Sequence, residues 1–328
     1  MAVSGYGNNK RNVAIYYIIV ALIILAAAAF IFYPFGKKKK AAESAASPSV
    51  SQPAQQSTQN AVGGSSAATT GAPVIGNPRV AAMLADAQNC ISEGKIIAAR
   101  NTLNDVLNMS LDDATRDSVK KQLTVLAQDW LFSRTIQLGD DLCSSYKVQP
   151  GEMLSQIAAR HKVPYQLLMI INNISSERSL RSDQVIKIVE GPFHAIVYKS
   201  AYTMDLYLQN VFVKSYKVGI GMPGHETPVG LWRAKVGGKM IKPTWTDQET
   251  GRTYHADDPD YPLGSGWIAL DGIDNRTRGI EGIAIHGTKD ENTIGTKSSH
   301  GCIRLYNGEL TEVYDMIEAG YSELRVVE

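Results

Sequence analysis

The chain has 328 residues, enough for two or three folded units rather than one. Its 20% charged and 44% hydrophobic residues are ordinary for a globular protein, but the net charge of +1 is unevenly spread. Lys10, Arg11 and Lys37 to Lys40 stand in a stretch without an acid, whereas from residue 78 onward 27 bases face 31 acids. A slightly acidic globular part argues against nucleic acid as the partner, because no basic face neutralises phosphate. A small-molecule or polymer substrate fits better.

After a short tail over 1–12, residues 13–32 run VAIYYIIVALIILAAAAFIF without a charge. At 1.5 Å per residue that run spans roughly 30 Å, the hydrocarbon thickness of a bilayer. Tyr16, Tyr17 and Tyr33 flank it as interfacial aromatics do. The pattern predicts a transmembrane anchor over 13–35, with membrane lipid as a partner. A cleaved signal peptide is the alternative, but its apolar core is ordinarily shorter and its cut site small-residue-rich. Counting flanking lysines places the Lys37–Lys40 side in the cytoplasm. The function inferred below requires the opposite: catalytic domain in the cell envelope, outside the cytoplasm.

Residues 36–77 are Ala, Ser, Gln, Gly, Thr and Pro with little to bury, which predicts a flexible tether. A chain of that length has a root-mean-square span of roughly 35 Å. A helical segment is expected over 78–135. Val80, Met83, Leu84, Ala87 and Ile91 repeat at helical spacing, and Ser92-Glu93-Gly94-Lys95 interrupts it. Ala98, Leu103, Val106 and Leu107 make a second stripe, and Asp112 opens a third helix reaching Trp130. The pattern resembles one tetratricopeptide-type hairpin with Gly94 at the close-packing position, and reads as a spacer or protein-contact module. Of the three cysteines, Cys90 and Cys143 are either a disulfide pair or two buried thiols, and Cys302 is the odd one.

Residues 145–190 begin YKVQPGEML at Tyr146. A short alternating strand (Tyr146, Val148), a Pro-Gly turn, two amphipathic helices and a strand with Ile186 and Ile188 on one face give a β-α-α-β order. Tyr146, Val148, Gly151, Leu154 and Asn172 resemble the lysin motif (LysM), whose members bind N-acetylglucosamine chains. The resemblance implies glycan contacts near Gly151, Met153 and Asn172, with glycan strands as a partner. Glu152 and Met153 depart from its usual Asp-Thr.

From Phe193 the texture becomes β, with strands expected at 194–198, 204–209, 211–216, 267–270, 282–286 and 324–327, and one late helix over 308–319. Inside this domain, residues 286–307 read HGTKDENTIGTKSSHGCIRLYN. A free cysteine near pKa 8.5 is only about 3% thiolate at pH 7, so a nucleophilic thiol requires an imidazole or a positive charge beside it. His286 ends one apolar strand and Cys302 opens another, where alternation puts Cys302 and Arg304 on one face and Ile303 and Leu305 in the core. If the two strands pair, thiol and imidazole meet. Gly301 lets backbone N–H groups turn toward an oxyanion. Zinc bound by His286, His300 and Cys302 is the rival reading, but His-Gly-Cys crowds two ligands on one turn and no fourth follows.

This stretch closely resembles the L,D-transpeptidase signature, carried by His286, Gly287, Ser299, His300, Gly301, Cys302 and Arg304. Asn307, Thr227-Pro228-Val229-Gly230 and Pro262-Leu263-Gly264 add matches across 192–328. The expected fold class is therefore multidomain: membrane helix, small α-helical segment, LysM module and a mainly-β catalytic domain. The resemblance implies catalytic roles for Cys302 as nucleophile, His286 as base, Gly287 through its carbonyl and Gly301 at the oxyanion. Arg304, His300, Ser299 and Asn307 are then expected at the substrate. It further implies attack on a peptidoglycan tetrapeptide stem, release of D-Ala, 3→3 cross-links, acylation of Cys302 by carbapenems, and no metal or organic cofactor. An L,D-carboxypeptidase of the same fold and an inactive wall-binding anchor are the competing readings.

Overall fold

The computed structural model describes residues 77–247 and 250–328. The tail, membrane span and tether expected before residue 77 lie outside these. Among the described residues, no helix is long and apolar enough to cross a membrane.

Three helices open the described chain: α1 (Pro78–Ser92), α2 (Ile96–Leu107) and α3 (Asp113–Trp130). Pro78 sits in the first turn, where its missing N–H costs nothing, and Asn77 Oδ1 accepts from Arg79 N. Asp112 caps α3 by accepting from Thr115 N at 2.9 Å. Leu103, Val106, Leu123 and Trp130 close the small core. Two sequence expectations change here. Ala98 is exposed and Ala99 is buried in its place, because the stripe is set by the start of α2 at Ile96. Gly94 does not pack closely against anything; it lies at φ +73 with open space where a side chain would be. Its role is the left-handed turn between α1 and α2.

A β-α-α-β module, the order expected of a lysin motif, follows as β1 (Cys143–Lys147), α4 (Leu154–Arg160), α5 (Tyr165–Asn172) and β2 (Val185–Val189), with β1 and β2 antiparallel. It is joined to the helices by a buried polar knot. Lys187, 1% exposed, donates to the carbonyls of Trp130, Ser133 and Thr135 at 2.5, 3.0 and 2.8 Å. An ammonium against the last carbonyl of α3 and two carbonyls of the segment after it satisfies groups that the helix end leaves open. Arg100 stacks over Trp130 and pairs with Asp140 at 2.8 Å, both side chains buried. All three cysteines are free, so the possible Cys90–Cys143 pairing is not formed; Cys143 is buried beside this knot.

The C-terminal domain is one curled sheet of β3 (Phe193–Tyr198), β4 (Thr203–Leu208), β5 (Val211–Lys217), β7 (Gly230–Met240), β10 (Trp267–Gly272), β11 (Ala284–His286), β13 (Ile303–Arg304) and β14 (Glu323–Val327). Their order across the sheet is β13-β11-β10-β7-β14-β3-β4-β5. Within this sheet, among the described residues, the β11–β13 and β14–β3 pairs are parallel and the rest antiparallel. Short strands β6 (Ile220–Gly221) and β12 (Lys297–Ser299) pair beside it, and β8 (Trp245–Thr246) pairs with β9 (Thr253–Tyr254). Helix α6 (Asn307–Met316) buries Leu310, Val313 and Met316. Lys239 Nζ holds its end through the carbonyls of Tyr314 and Ile317, both at 2.6 Å. The 11-residue strand β7, central in the sheet, was not expected from the sequence. The helical segment is fastened to this domain as well: Phe212 N donates to Asn104 Oδ1, and Lys120 pairs with the fully buried Asp205 at 2.5 Å. The segment expected as a spacer or protein-contact module thus packs against this domain.

Candidate active site

The site lies where β10, β11 and β13 run side by side. Trp267 is the register partner of His286, and His286 of Arg304. These three side chains form one row across three strands. The next row on the same face contains Ala284 and, one residue before β13 begins, Cys302. Ile285 and Ile303 point the other way and are buried at 1% and 0% exposure. The expected facing of Cys302 and Arg304 is therefore found, and the thiol lies one diagonal step from the imidazole, a spacing of about 7 Å between Cα atoms that side chains bridge readily.

His286 is 4% exposed. Its Nδ1 lies 2.6 Å from the carbonyl of Gly287, so Nδ1–H donates and Nε2 is left with its lone pair. Trp267 stacks on the ring at 5.5 Å and 18°. Burial, and then the charge of Arg304, pull the imidazole pKa down to about 4, against the opposing carbonyl of Gly287. Cys302 keeps part of its surface open, yet protein surrounds it closely. Burial pushes its thiol up to about 11, opposed by the Ala284 backbone and Arg304. The sulfhydryl donates to the carbonyl of Gly282 at 3.4 Å. Burial thus favours the neutral form of both the thiol and the imidazole.

Gly301 has φ +107, and a side chain there would press on Ile283. Only glycine fits the turn that leads into the nucleophile. Ser299 is 1% exposed and donates to the carbonyl of Cys302 at 2.6 Å. Expected at the substrate, it is buried here and fixes the turn around the nucleophile. Asn307 likewise braces the scaffold. Its Oδ1 accepts from Ser265 N at 3.0 Å and Thr288 N at 3.2 Å, and its Nδ2 donates to Thr288 O at 2.8 Å. That amide nests where a side chain on Gly264 or Gly287 would stand, which accounts for both glycines. His300 is exposed and meets His225 edge-on at 4.9 Å. Among the described residues no three His, Cys, Asp or Glu side chains converge as metal ligands.

Arg304 has a different character. Its backbone is locked to Gly219 in both directions, at 2.8 and 2.9 Å. Among the described residues its guanidinium reaches no carboxylate, and its buried Nε has no hydrogen-bond partner. A cavity of about 440 Å³ is lined by Trp267, which stacks on His286, and Gly282, whose carbonyl accepts from Cys302, with Ile283 and Lys235 among others. Trp267 and Gly282 were not singled out from the sequence. Both strands carrying them were legible, but the register that stacks Trp267 on His286 was not.

At the expected glycan-binding residues, Gly151 is a left-handed turn with open space around it and Met153 is exposed. Asn172 is instead buried. It bonds Lys187 N and O and the carbonyl of Leu168, so it staples α5 to β2 rather than meeting a ligand. Glu152 closes the first LysM loop by accepting from Gln149 N and Tyr146 Oη, both at 2.8 Å, and from Arg160 at 2.6 Å.

Residues 192–327 match the YkuD family, the L,D-transpeptidase catalytic domain, and residues 146–189 match the LysM domain. YqjB of Bacillus subtilis, which bears a provisional L,D-transpeptidase name, is 32% identical over 132 residues, covering 40% of this chain and 69% of that one. The chain belongs to the L,D-transpeptidase family. A second relative with a provisional name of the same kind, YkuD of Bacillus licheniformis, is 26% identical over 182 residues, covering 53% of this chain and 94% of that one. A solved L,D-transpeptidase, LdtMt1 in complex with imipenem, aligns with a TM-score of 0.32 at 19% identity, over 44% of this chain and 63% of that one. The family is one of enzymes, and its catalytic domain here follows a LysM module.

Proposed function

We propose that this chain cross-links peptidoglycan by cysteine acyl transfer, held in the cell envelope by a membrane anchor at residues 13–35 and by its LysM module. The observation that carries the reading is the placement of Cys302 and His286. They lie on one sheet face, diagonally across neighbouring strands and two residues apart along them, with His286 Nδ1 engaged by Gly287 O at 2.6 Å and Nε2 left as a base.

In this reading the donor is a tetrapeptide stem. As Cys302 Sγ attacks the carbonyl of its third residue, the thiol proton passes to His286 Nε2. Proton transfer coincides with C–S bond formation, because burial makes a separate thiolate–imidazolium pair unfavourable before the substrate arrives. The N–H groups of Gly301 and Cys302 hold the oxyanion, a role that contributes about 10² to 10³-fold per donor. His286 returns its proton to the leaving nitrogen and D-Ala departs. An amine of a neighbouring stem, losing its proton to His286, then takes the acyl group and forms a 3→3 cross-link. His300, exposed beside His225, borders the acceptor side. A carbapenem acylates the same sulfur by opening its lactam ring.

The test is to incubate the protein with tetrapeptide muropeptides and separate the products by mass. Dimers support transfer. Tripeptides with free D-Ala and no dimer indicate the L,D-carboxypeptidase reading, and no change indicates an inactive wall-binding anchor.

A further inference from the structure

We propose that a polar trough between the helical segment and the sheet, remote from Cys302, is a second binding site, and that its ligand is a zwitterionic peptide with carboxylates at one end and a free amine at the other. The source of such a peptide rests on the acyl-transfer reading above: an uncross-linked peptidoglycan stem carries both groups.

Two cavities of about 720 and 740 Å³ share Leu107, Asn108, Arg116, Tyr198 and Tyr207 in their walls and so form one trough. Helices α2 and α3 supply one side. The floor is the outer face of β14, β3 and β4, where Arg325, Ile196 and Asp205 stand in one row. The fully buried Asp205 ties floor to wall, accepting from Ser215 and pairing with Lys120 of α3 at 2.5 Å. Arg325 and Asp205 are two strand spacings apart, roughly 10 Å, so about three extended residues fit between them.

The charges along the trough are sorted. At the β14 end Arg325 is exposed and pairs with no carboxylate among the described residues. The acid nearest it in the chain, Glu323, is already held by Arg233 at 2.8 Å. His194 Nδ1 accepts from Glu323 N at 3.1 Å, which leaves Nε2–H as a donor on the same floor. Arg116, capping the end of α2 through the carbonyls of Leu107 and Met109, adds a second cation. At the α3 end, Asp113 and Asp117 are exposed and make no ion pair among the described residues. A carboxylate suits the first end and an ammonium the second; a neutral sugar would use neither.

The trough and the catalytic row lie on one sheet face. Trp267 and Asp271 share a side of β10 by alternation, Asp271 pairs in register with Arg233, and Arg233 with Glu323, two residues before Arg325. Three strand spacings across and six residues along separate Trp267 from Arg325, roughly 24 Å over the sheet. The cavity lined by Trp267, Lys235 and Asp271 lies on this face between them. A polymer with one stem at Cys302 and another in the trough is held at two points, which raises the local concentration of substrate.

The test is NMR of the full Cys302→Ala chain, with the His194 and His286 ring signals assigned, titrated with a tetrapeptide stem bearing a free amine. Both rings are expected to shift. Arg325→Glu is expected to weaken the His194 response at least about threefold in Kd and to leave that of His286 unchanged. Acetylating the peptide's amine weakens the His194 response in the same way, and does so without altering the protein. In the parent chain, Arg325→Glu raises KM for polymeric peptidoglycan with kcat unchanged, and changes neither for the isolated tetrapeptide. A His194 signal that stays fixed, one whose response survives Arg325→Glu, or one that answers an N-acetylglucosamine tetramer as strongly as the peptide, overturns the proposal and leaves acyl transfer standing. A His194 response in a chain that turns over no muropeptide keeps the trough and removes acyl transfer, and absence of both removes both.

Discussion

Trp267 lies flat against His286, with ring centroids 5.5 Å apart and planes 18° from parallel. The indole closes one face of the base, and Gly287 O holds its Nδ1 edge. The imidazole is therefore shielded and oriented, and its burial favours the neutral form that can take a proton from sulfur. Replacing Trp267 with Leu keeps an apolar residue but lets water reach the ring. The imidazole pKa is expected to rise from about 4 toward its ordinary value near 6.5, read by proton NMR of the His286 ring. An unchanged titration would remove the indole from the account.

The same burial makes stability depend on acid. His286 binds its proton at a lower pH in the folded chain than in the unfolded one, so between pH 6.5 and about 4 the unfolded state holds more protons. Stability is expected to fall as pH falls through that window, by up to about 3 kcal/mol at 1.36 kcal/mol per pH unit. Urea melts at pH 7 and pH 4.5, compared with those of His286→Gln, check it. The variant is expected to lose less over the same interval.

Asn307 binds the loop before Trp267 to the loop after His286 through three hydrogen bonds. Asn307→Ala is expected to cost about 2 kcal/mol of stability, since it leaves Ser265 N and Thr288 N without an acceptor. Activity is expected to fall more than that loss alone explains, because the two loops carry the ring stack. A kcat decrease of about tenfold with little change in KM is the outcome that separates positioning from binding.

Lys187 links the LysM strand to the end of α3 through three carbonyls. Lys187→Met removes every donor at once in a site with 1% exposure. A loss of about 3 kcal/mol or more is expected, from three orphaned acceptors in a buried setting. Limited proteolysis between Trp130 and Cys143 follows the same loosening. A variant as stable and as resistant as the parent would show the junction to be incidental.

Much of this was legible in the sequence. Periodicity gave α1 and α3, capping at Asp112, the β-α-α-β module, and most strands of the catalytic sheet to within a few residues. The facing of Cys302, Arg304, Ile303 and Leu305 followed from strand alternation alone. Strand β7 was hidden because Gly237, at φ +71, and its neighbour Gly238 interrupt the alternation that a strand shows elsewhere. Ser299, Asn307 and Asn172 looked ligand-facing because they are polar residues in a recognisable motif. Their partners are backbone groups reached only after folding, such as Lys187, 15 residues from Asn172. The charge states at the site were hidden for a related reason: sequence shows which groups can ionise, whereas burial decides whether they do.

Mass spectrometry of the intact protein tests the central claim most directly. The chain is mixed with a tetrapeptide donor, quenched in acid within the first turnover, and digested to locate any adduct. The account predicts a tripeptide acyl group on the peptide containing Cys302, absent from Cys302→Ala, which also releases no D-Ala. D-Ala release that persists in Cys302→Ala, or an acyl group found on another residue, would contradict it.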